Sequence, residues 1–269
     1  MRYDLIMIHF LRRLLPDRHP LRLLWHRAKA FCAAVRYGFP ARKLTVIGIT
    51  GTDGKTTTVS MAAHILHEAG IPVGALSTAF FRIRDAIDWN ETQKTSPSPF
   101  VIQKFLRRLI QEGCTHAVLE YSSHGLVQGR TDFTFPSIAA ITNTSMEHLD
   151  YHGTLEQYRV DKGLLFLMLR GQGTKVLNVD DGTYTSYSDI PSASTITWST
   201  GERTHVDVHA SNIQTTTGGS TADVHVHNAD TVQLTLQVPG AFNIDNALCA
   251  LTACNAAGID LHTGIQALA

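Results

Sequence analysis

The sequence has 269 residues, 23 basic and 23 acidic side chains, and 43% hydrophobic residues. This composition is typical of a globular protein with one large core or two smaller ones, and it excludes a disordered or strongly charged chain. Residues 1–43 contain ten Lys or Arg and two acidic residues, whereas the remainder contains 13 basic and 21 acidic residues. The balanced charge of the whole chain predicts no nucleic-acid partner.

The first 37 residues predict two short helices separated at Pro16 and Pro20. Each helix has one apolar face, and arginines occupy the other faces. Two interpretations remain open: a helical hairpin packed on the following domain, or a basic amphipathic anchor in contact with anionic lipid. The apolar faces consist of Leu5, Ile6, Ile8, Leu11, Leu14 and Leu15 in the first helix and of Leu21, Leu24, Ala28 and Phe31 in the second.

From residue 44 to about residue 179, strand-like runs alternate with helix-like runs. This alternation predicts an α/β fold with a mainly parallel sheet that binds ligands at the carboxyl ends of its strands. Residues 195–238 change to short alternating runs, which predict added antiparallel hairpins, and a last helix is predicted at 243–257. The other predicted strands are 45–49, 73–77, 116–121, 138–142 and 175–179, and the other predicted helices are 57–69, 99–112 and 155–169.

The segment GITGTDGKTTT, residues 48–58, lies between an apolar strand and a helix. Its three glycines allow a tight turn that brings backbone N–H groups close to phosphate oxygens. Lys55 can reach the outer phosphates of a nucleotide, and Thr56 can ligate Mg²⁺. A simple glycine turn would need neither residue. The segment therefore predicts a phosphate loop in a P-loop NTPase-like domain.

Four motifs follow one another along the sequence. They are TGTDGKTT at 50–57, EYSSHGL at 120–126, TN at 142–143 with EHLDYHG at 147–153, and finally Asn243 and Asn246. Four motifs in one order make a chance match improbable. Together they resemble the central ATP-binding domain of the Mur ligases, and within that family the UDP-N-acetylmuramoyl-tripeptide synthetases. The resemblance covers residues 43–269.

The resemblance implies binding sites for ATP and two metal ions. Glu120 ends an apolar strand, where its carboxylate could share Mg²⁺ with Thr56. A helical lysine such as Lys162 is usually a solvated surface group, so the resemblance alone makes it, if carbamylated, the ligand of a second metal with His148. Lys55, His148 and Lys162 are the implied catalytic residues. The implied ATP-binding residues are Gly51, Thr52, Asp53, Gly54, Lys55, Thr56, Thr57, Asn243 and Asn246.

The resemblance also implies a substrate and a reaction. ATP would phosphorylate the carboxylate of UDP-N-acetylmuramoyl-L-alanyl-D-glutamate, and the amine of an amino acid would attack the acyl phosphate. A folylpolyglutamate- or cyanophycin-type ligase and a non-catalytic ATP-binding module of a split or membrane-tethered complex are the alternatives. The implied contacts to the muramoyl substrate are Thr95, Ser96, Ser122, Gln128 and Arg130.

We expect residues 1–43 to be a basic helical appendage and residues 44–269 to form the central domain. The C-terminal domain that binds the amino acid in the family is expected to be absent, which a separate polypeptide, a truncated gene or a repurposed domain would each explain. The four cysteines form no CxxC pair and no zinc-spaced cluster, which fits a reducing cytoplasm. No run approaches the ~20 apolar residues that span a bilayer, so we expect a cytoplasmic protein, with membrane association possible only through residues 1–37.

Overall fold

The computed structural model describes residues 16–145, 149–201, 205–226 and 231–269. Within these ranges, eleven strands form one sheet in the order β11-β10-β9-β8-β7-β6-β1-β5-β2-β3-β4. The strands are β1 Thr45–Thr50, β2 Val73–Leu76, β3 Phe80–Ile83, β4 Ala86–Trp89, β5 His116–Glu120, β6 Ile138–Ile141, β7 Thr174–Asn178, β8 Ser194–Ser199, β9 Val208–Thr216, β10 Gly219–Val226 and β11 Val232–Leu236. The helices are α1 Pro20–Tyr37, a 3-10 turn Pro40–Lys43, α2 Lys55–Glu68, α3 Pro99–Gln111, α4 Ser123–Val127, α5 Leu149–His152, α6 Leu155–Leu167, α7 Tyr184–Ser188, α8 Ala241–Ala256 and α9 Leu261–Leu268.

The centre of the sheet is parallel, which confirms the predicted fold class. Strand β1 lies between β5 and β6 and pairs in parallel with both. Strands β3 and β4 at one edge, and β10 and β11 at the other, join by antiparallel pairing. The prediction of antiparallel hairpins from residue 195 onward is wrong for β8, because β8 pairs in parallel with β7 and β9.

Both faces of the sheet are covered, because the central strands are apolar on both sides. Ile47 and Ile49 of β1 pack with α2, α8 and α9 in one core. Val46 faces the opposite core, which includes side chains of α3 and α6. In the parallel register Ile49 lies opposite Glu120, so the end of β5 is next to the segment that follows β1.

Two elements are absent from the sequence prediction. Residues 80–89 form the hairpin β3–β4, which has no alternating pattern because all four residues of β4 are exposed. The helix predicted as the last one is followed by α9, whose N-cap Asp260 accepts a hydrogen bond from the Thr263 N–H at 3.2 Å. The side chain of Asp260 thus starts a new helix two residues after Gly258.

Helix α1 buries a face other than the predicted apolar one. Its small residues Ala30, Ala33 and Ala34 are buried, and the helix packs against α3. Leu21 and Leu24, which belong to the predicted apolar face, are both 64% exposed. The predicted helix before Pro16 lies outside the described residues. In the described part of the chain, no helix combines the length and apolar character needed to cross a bilayer.

Candidate functional site

The predicted phosphate loop connects β1 to α2, and the residues that follow β6 hold it in place. The Asp53 N–H donates to the Asn143 side-chain oxygen at 3.0 Å, and the Thr142 hydroxyl donates to the Asp53 carbonyl at 2.7 Å. The Thr52 N–H donates to the Asn143 carbonyl at 2.9 Å. Hydrogen bonds therefore join the loop to the end of the neighbouring strand at the carboxyl edge of the sheet.

Two of the three glycines are required by positive φ and by close contacts. A Cβ atom on Gly51, at φ 147°, would lie 1.8 Å from the Thr142 hydroxyl oxygen. On Gly54, at φ 76°, it would lie 1.8 Å from the side-chain oxygen of Asn246. Gly48 does not belong to the loop, contrary to the sequence interpretation. It lies in β1, where a Cβ would be 2.9 Å from both Tyr121 and Leu165, so its role is packing.

Lys55 and Thr56 begin α2, at the N-terminal end of the helix dipole. The Lys55 ammonium donates to the Thr52 carbonyl at 2.5 Å, which folds the side chain over the loop. Thr57 lies in the same first turn, and Asp53 is exposed, with its carboxylate 3.3 Å from the Ser145 hydroxyl. The positive end of a helix together with a lysine would suit a polyanion.

Glu120 is a buried carboxylate, with 2% of its surface exposed. It accepts hydrogen bonds from the Thr56 hydroxyl at 3.0 Å, from the Thr78 N–H at 2.8 Å and from the Thr78 hydroxyl at 3.1 Å. The sequence analysis did not identify Thr78 as a site residue. Thr78 nevertheless follows β2 at the same edge of the sheet where Glu120 ends β5. A carboxylate and a hydroxyl in contact are oxygen ligands suited to a hard cation.

Lys162 is 1% exposed, so the surface position usual for a helical lysine does not apply to it. Its ammonium donates to the Gly51 carbonyl at 2.5 Å and lies 4.5 Å from the centre of the Tyr158 ring. The Tyr158 hydroxyl is 3.1 Å from the Thr52 hydroxyl. Helix α6 therefore presents two buried side chains to the phosphate loop.

His148 lies outside the described residues. Within those residues, no group of three or more His, Cys, Asp or Glu side chains could hold a metal ion.

Asn243 and Asn246 are buried in the first two turns of α8. Asn246 lies against Gly54, and its side-chain oxygen is 3.5 Å from the Thr58 hydroxyl. Asn243 donates to the Pro239 carbonyl at 2.8 Å. The N-cap residue of α8 is Gly240, so Asn243 lies within the first turn of the helix.

Four of the five predicted substrate residues lie together. The Ser122 N–H and hydroxyl are 3.1 and 3.2 Å from the Ser96 hydroxyl, and the Arg130 guanidinium donates to the Ser96 carbonyl. Burial lowers the pKa of Arg130. The Thr95 and Thr78 hydroxyls are 2.8 Å apart, and Thr78 contacts Glu120, which connects this group to that carboxylate. Gln128 is separate, with its amide 3.4 Å from the Tyr151 hydroxyl.

Comparison with known proteins gives consistent results. Residues 49–254 match the Mur ligase middle domain. The chain is 36% identical over 260 residues to a UDP-N-acetylmuramoyl-L-alanyl-D-glutamate–2,6-diaminopimelate ligase of Bacillus licheniformis, covering 93% of this chain and 52% of the relative. It is 34% identical over 253 residues to a UDP-N-acetylmuramyl-tripeptide synthetase of Roseiflexus sp., covering 90% of this chain and 50% of the relative.

A solved structure of a UDP-N-acetylmuramoyl-L-alanyl-D-glutamate–2,6-diaminopimelate ligase superposes with a TM-score of 0.75 at 28% identity, covering 84% of this chain and 46% of that one. The chain spans about half the length of the curated relatives it matches. The match to the family model extends over more than half of the chain. The chain belongs to the Mur ligase family, as its motifs predicted.

Proposed function

We propose that this chain binds ATP with Mg²⁺ and takes part in joining an amino acid to UDP-N-acetylmuramoyl-L-alanyl-D-glutamate. The observation that carries the proposal is the convergence of three buried groups on one loop. Glu120 contacts Thr56, Lys162 contacts Gly51, and Asn246 contacts Gly54. The names of the similar ligases supply the substrate class.

In this proposal the loop residues 51–57 bind the ATP phosphates through backbone N–H groups, hydroxyls and the Lys55 ammonium. Asn243 and Asn246 would lie along the adenine side, one helical turn apart. Lys55 would leave the Thr52 carbonyl and turn to the outer phosphates, where its charge offsets the charge of the transferred phosphoryl group.

The residues fit a magnesium ion, because the Glu120 carboxylate and the Thr56 hydroxyl lie 3.0 Å apart in a buried setting. Thr56 and Glu120 would hold one ion, and His148 with a carbamylated Lys162 would hold a second. Bound magnesium would neutralise phosphate charge. The contact of Lys162 with Gly51 supports a role for this lysine beside the phosphates.

Thr95, Ser96, Ser122 and Arg130, together with the separate Gln128, would orient the muramoyl peptide so that its carboxylate faces the γ-phosphorus. The γ-phosphorus bond to ADP breaks as the carboxylate oxygen bonds to phosphorus. The amine of the amino acid then attacks the acyl carbon, the amide bond forms, phosphate leaves, and the proton of the amine passes to solvent.

Phosphate release is the direct test. Release should require ATP, Mg²⁺, the UDP-muramoyl dipeptide and an amino acid, and it should be measured with and without a polypeptide corresponding to the C-terminal domain of a relative. Glu120→Gln keeps the shape of the side chain but removes its charge, and we expect it to lower release by at least about a hundredfold. ATP binding without release under any condition would contradict ligation and favour the nucleotide-binding module.

We also propose that residues 1–37 contact an anionic membrane surface, on evidence from residues 16–37. The exposed face of α1 is apolar along its length, and α1 contains no acidic residue. A groove of about 600 Å³ adjoins the end of this face, and its lining includes the cations Arg36, Lys104, Arg107 and Arg108. An apolar face beside cations is typical of helices that lie in the lipid interface. The face consists of Leu21, Leu24, Trp25, Ala28, Phe31, Cys32 and Val35.

Vesicle flotation tests this contact at low salt. The chain should float with vesicles containing phosphatidylglycerol and remain behind with pure phosphatidylcholine. Leu24→Gln should weaken flotation through lost apolar insertion, and Lys104→Glu should weaken it through charge, more at low salt than at high salt. Absence of flotation with phosphatidylglycerol at low salt would overturn the membrane proposal without affecting ATP binding.

A further inference from the structure

A series of hydrogen-bonded side chains connects the segment before α1 to three helices at the candidate site. Its four members are Arg18, Asp161, His152 and Ser123. Arg18 makes two hydrogen bonds to the Asp161 carboxylate, at 2.7 and 2.9 Å. Asp161 is 2.5 Å from the Nδ1 atom of His152, and the Nε2 atom of His152 is 3.0 Å from the Ser123 hydroxyl. The side chains of His152 and Asp161 are 0% and 3% exposed.

The order Ser, His, Asp resembles a nucleophilic triad, but the surroundings argue for a structural role. In a triad the carboxylate stabilises the imidazolium that forms during reaction. Here the two-pronged contact with Arg18 already compensates the Asp161 charge, and the amide of Gln157 donates to it at 2.9 Å. Ser123 is also 4% exposed, which leaves little access for an acyl group.

Two members of this series are adjacent in sequence to residues of the proposed site, and a third ends the short helix α5. Asp161 precedes Lys162, Ser123 follows Ser122, and His152 ends the short helix after residues 146–148. Successive residues of an α-helix point about 100° apart, because a turn holds 3.6 residues. Holding Asp161 on one side of α6 therefore fixes the direction in which Lys162 points, which is toward Gly51.

We propose that Arg18 is a positioning residue. As the terminal member of this hydrogen-bonded series, it orients α6 and α4 toward the phosphate loop. The proposal rests on the proposed function in one respect, namely that Lys162 binds a metal ion and Ser122 binds the substrate. Loss of the Arg18 guanidinium would leave the Asp161 carboxylate buried without its charge partner, which is strongly unfavourable. The expected response is a shift or loosening of α6, since β1 and α2 do not contact Arg18 through any described hydrogen bond or ion pair.

Hydrogen exchange of the ligand-free full chain tests the proposal without relying on catalysis. Arg18→Ala should raise exchange in α6 by about tenfold or more, whereas residues 45–58 should change less than about twofold. Arg18→Lys, which keeps the charge but loses the planar fork, should give an intermediate value. Arg22→Ala is the matched control, because Arg22 pairs with the exposed Asp17 at 2.5 Å, and it should leave α6 unchanged.

A kinetic readout separates positioning from general destabilisation. In Arg18→Ala, KM for the UDP-muramoyl dipeptide should rise about tenfold while the Kd for ATP stays within about twofold. Unchanged exchange in α6 of Arg18→Ala, or equal loss of protection in α6 and in residues 45–58, would overturn the proposal. Failure of the wild-type chain to release phosphate would overturn the proposed ligation instead, and the exchange contrast would still decide the role of Arg18.

Discussion

Side chains of the phosphate loop are closely packed, whereas those on the exposed face of α1 are open to solvent. In the loop, glycines, hydroxyls and amides fit one another so closely that one added carbon atom would clash with Thr142 or Asn246. On α1, large apolar groups lie in solvent, with Leu21 and Leu24 each 64% exposed. Short contacts within the chain determine the loop, whereas the proposed membrane contact would account for the apolar outer face of α1.

This contrast has a consequence for mutations. We expect the stability effect of a substitution in the loop to depend on the individual atoms that it displaces. On α1 we expect the effect to depend on the side of the helix that carries the substitution.

The largest effect is expected for Gly54→Ala, which tests the close fit of the loop. The new Cβ would be 1.8 Å from the Asn246 oxygen at φ 76°, so we expect a loss of about 3 kcal/mol or more in the free energy of unfolding. Gly70→Ala is the matched control. Gly70 has φ 77° and no atom within 4 Å of the added carbon, so only about 1 kcal/mol should be lost. Urea titration measures both.

A second variant isolates the contact with Asn246. Combining Gly54→Ala with Asn246→Ala removes the clashing oxygen and should recover part of the loss. Equal losses for Gly54→Ala and Gly70→Ala would mean that backbone conformation alone explains the glycine.

The next effect compares the two sides of α1. Ala33 is fully buried, so Ala33→Leu should overpack the contact with α3 and cost about 1–3 kcal/mol. Cys32→Leu makes a similar enlargement one residue earlier, on the exposed face, and should change stability by less than about 0.5 kcal/mol. Thermal unfolding of the two variants side by side provides the measurement. Similar costs at both positions would show that the outer face is covered in the free chain.

A smaller effect concerns pH. Burial lowers the pKa of His152 from its ordinary value, although its bond to Asp161 opposes the shift. The unfolded chain takes up this proton near pH 6.5 and the folded chain only at lower pH, so acidification below about pH 6.5 should reduce stability. His152→Gln should remove this contribution. The stability difference between wild type and variant should therefore narrow between pH 7.5 and pH 5, and a difference that widens would contradict the sign.

The parallel core of the fold and the glycine turn at residues 51–54 could be predicted from the sequence, because both depend on local patterns. Five central strands appear as apolar runs, and the loop requires glycine where φ is positive. The hairpin at 80–89 could not be predicted, because the exposed residues of β4 give no alternation. The buried face of α1 was misjudged because the small alanines pack on α3, while the larger side chains face outward.

The site was harder to predict where long-range contacts decide the environment of a residue. Lys162 is separated by 111 positions from its partner Gly51, so its burial could not be derived from local sequence. Thr78 and Arg18 were missed for the same reason, because their partners Glu120 and Asp161 are 42 and 143 positions away. The family resemblance identified Lys162 as a candidate site residue, but it did not identify Arg18.

Calorimetric titration of the chain with ATP in the presence of Mg²⁺, beside Lys55→Ala, tests the central claim most directly. We expect wild type to bind one nucleotide and Lys55→Ala to bind at least about tenfold more weakly, because the lysine charge lies at the phosphate loop. Equal affinities, or no heat and no thermal shift with wild type, would contradict a nucleotide site at this loop.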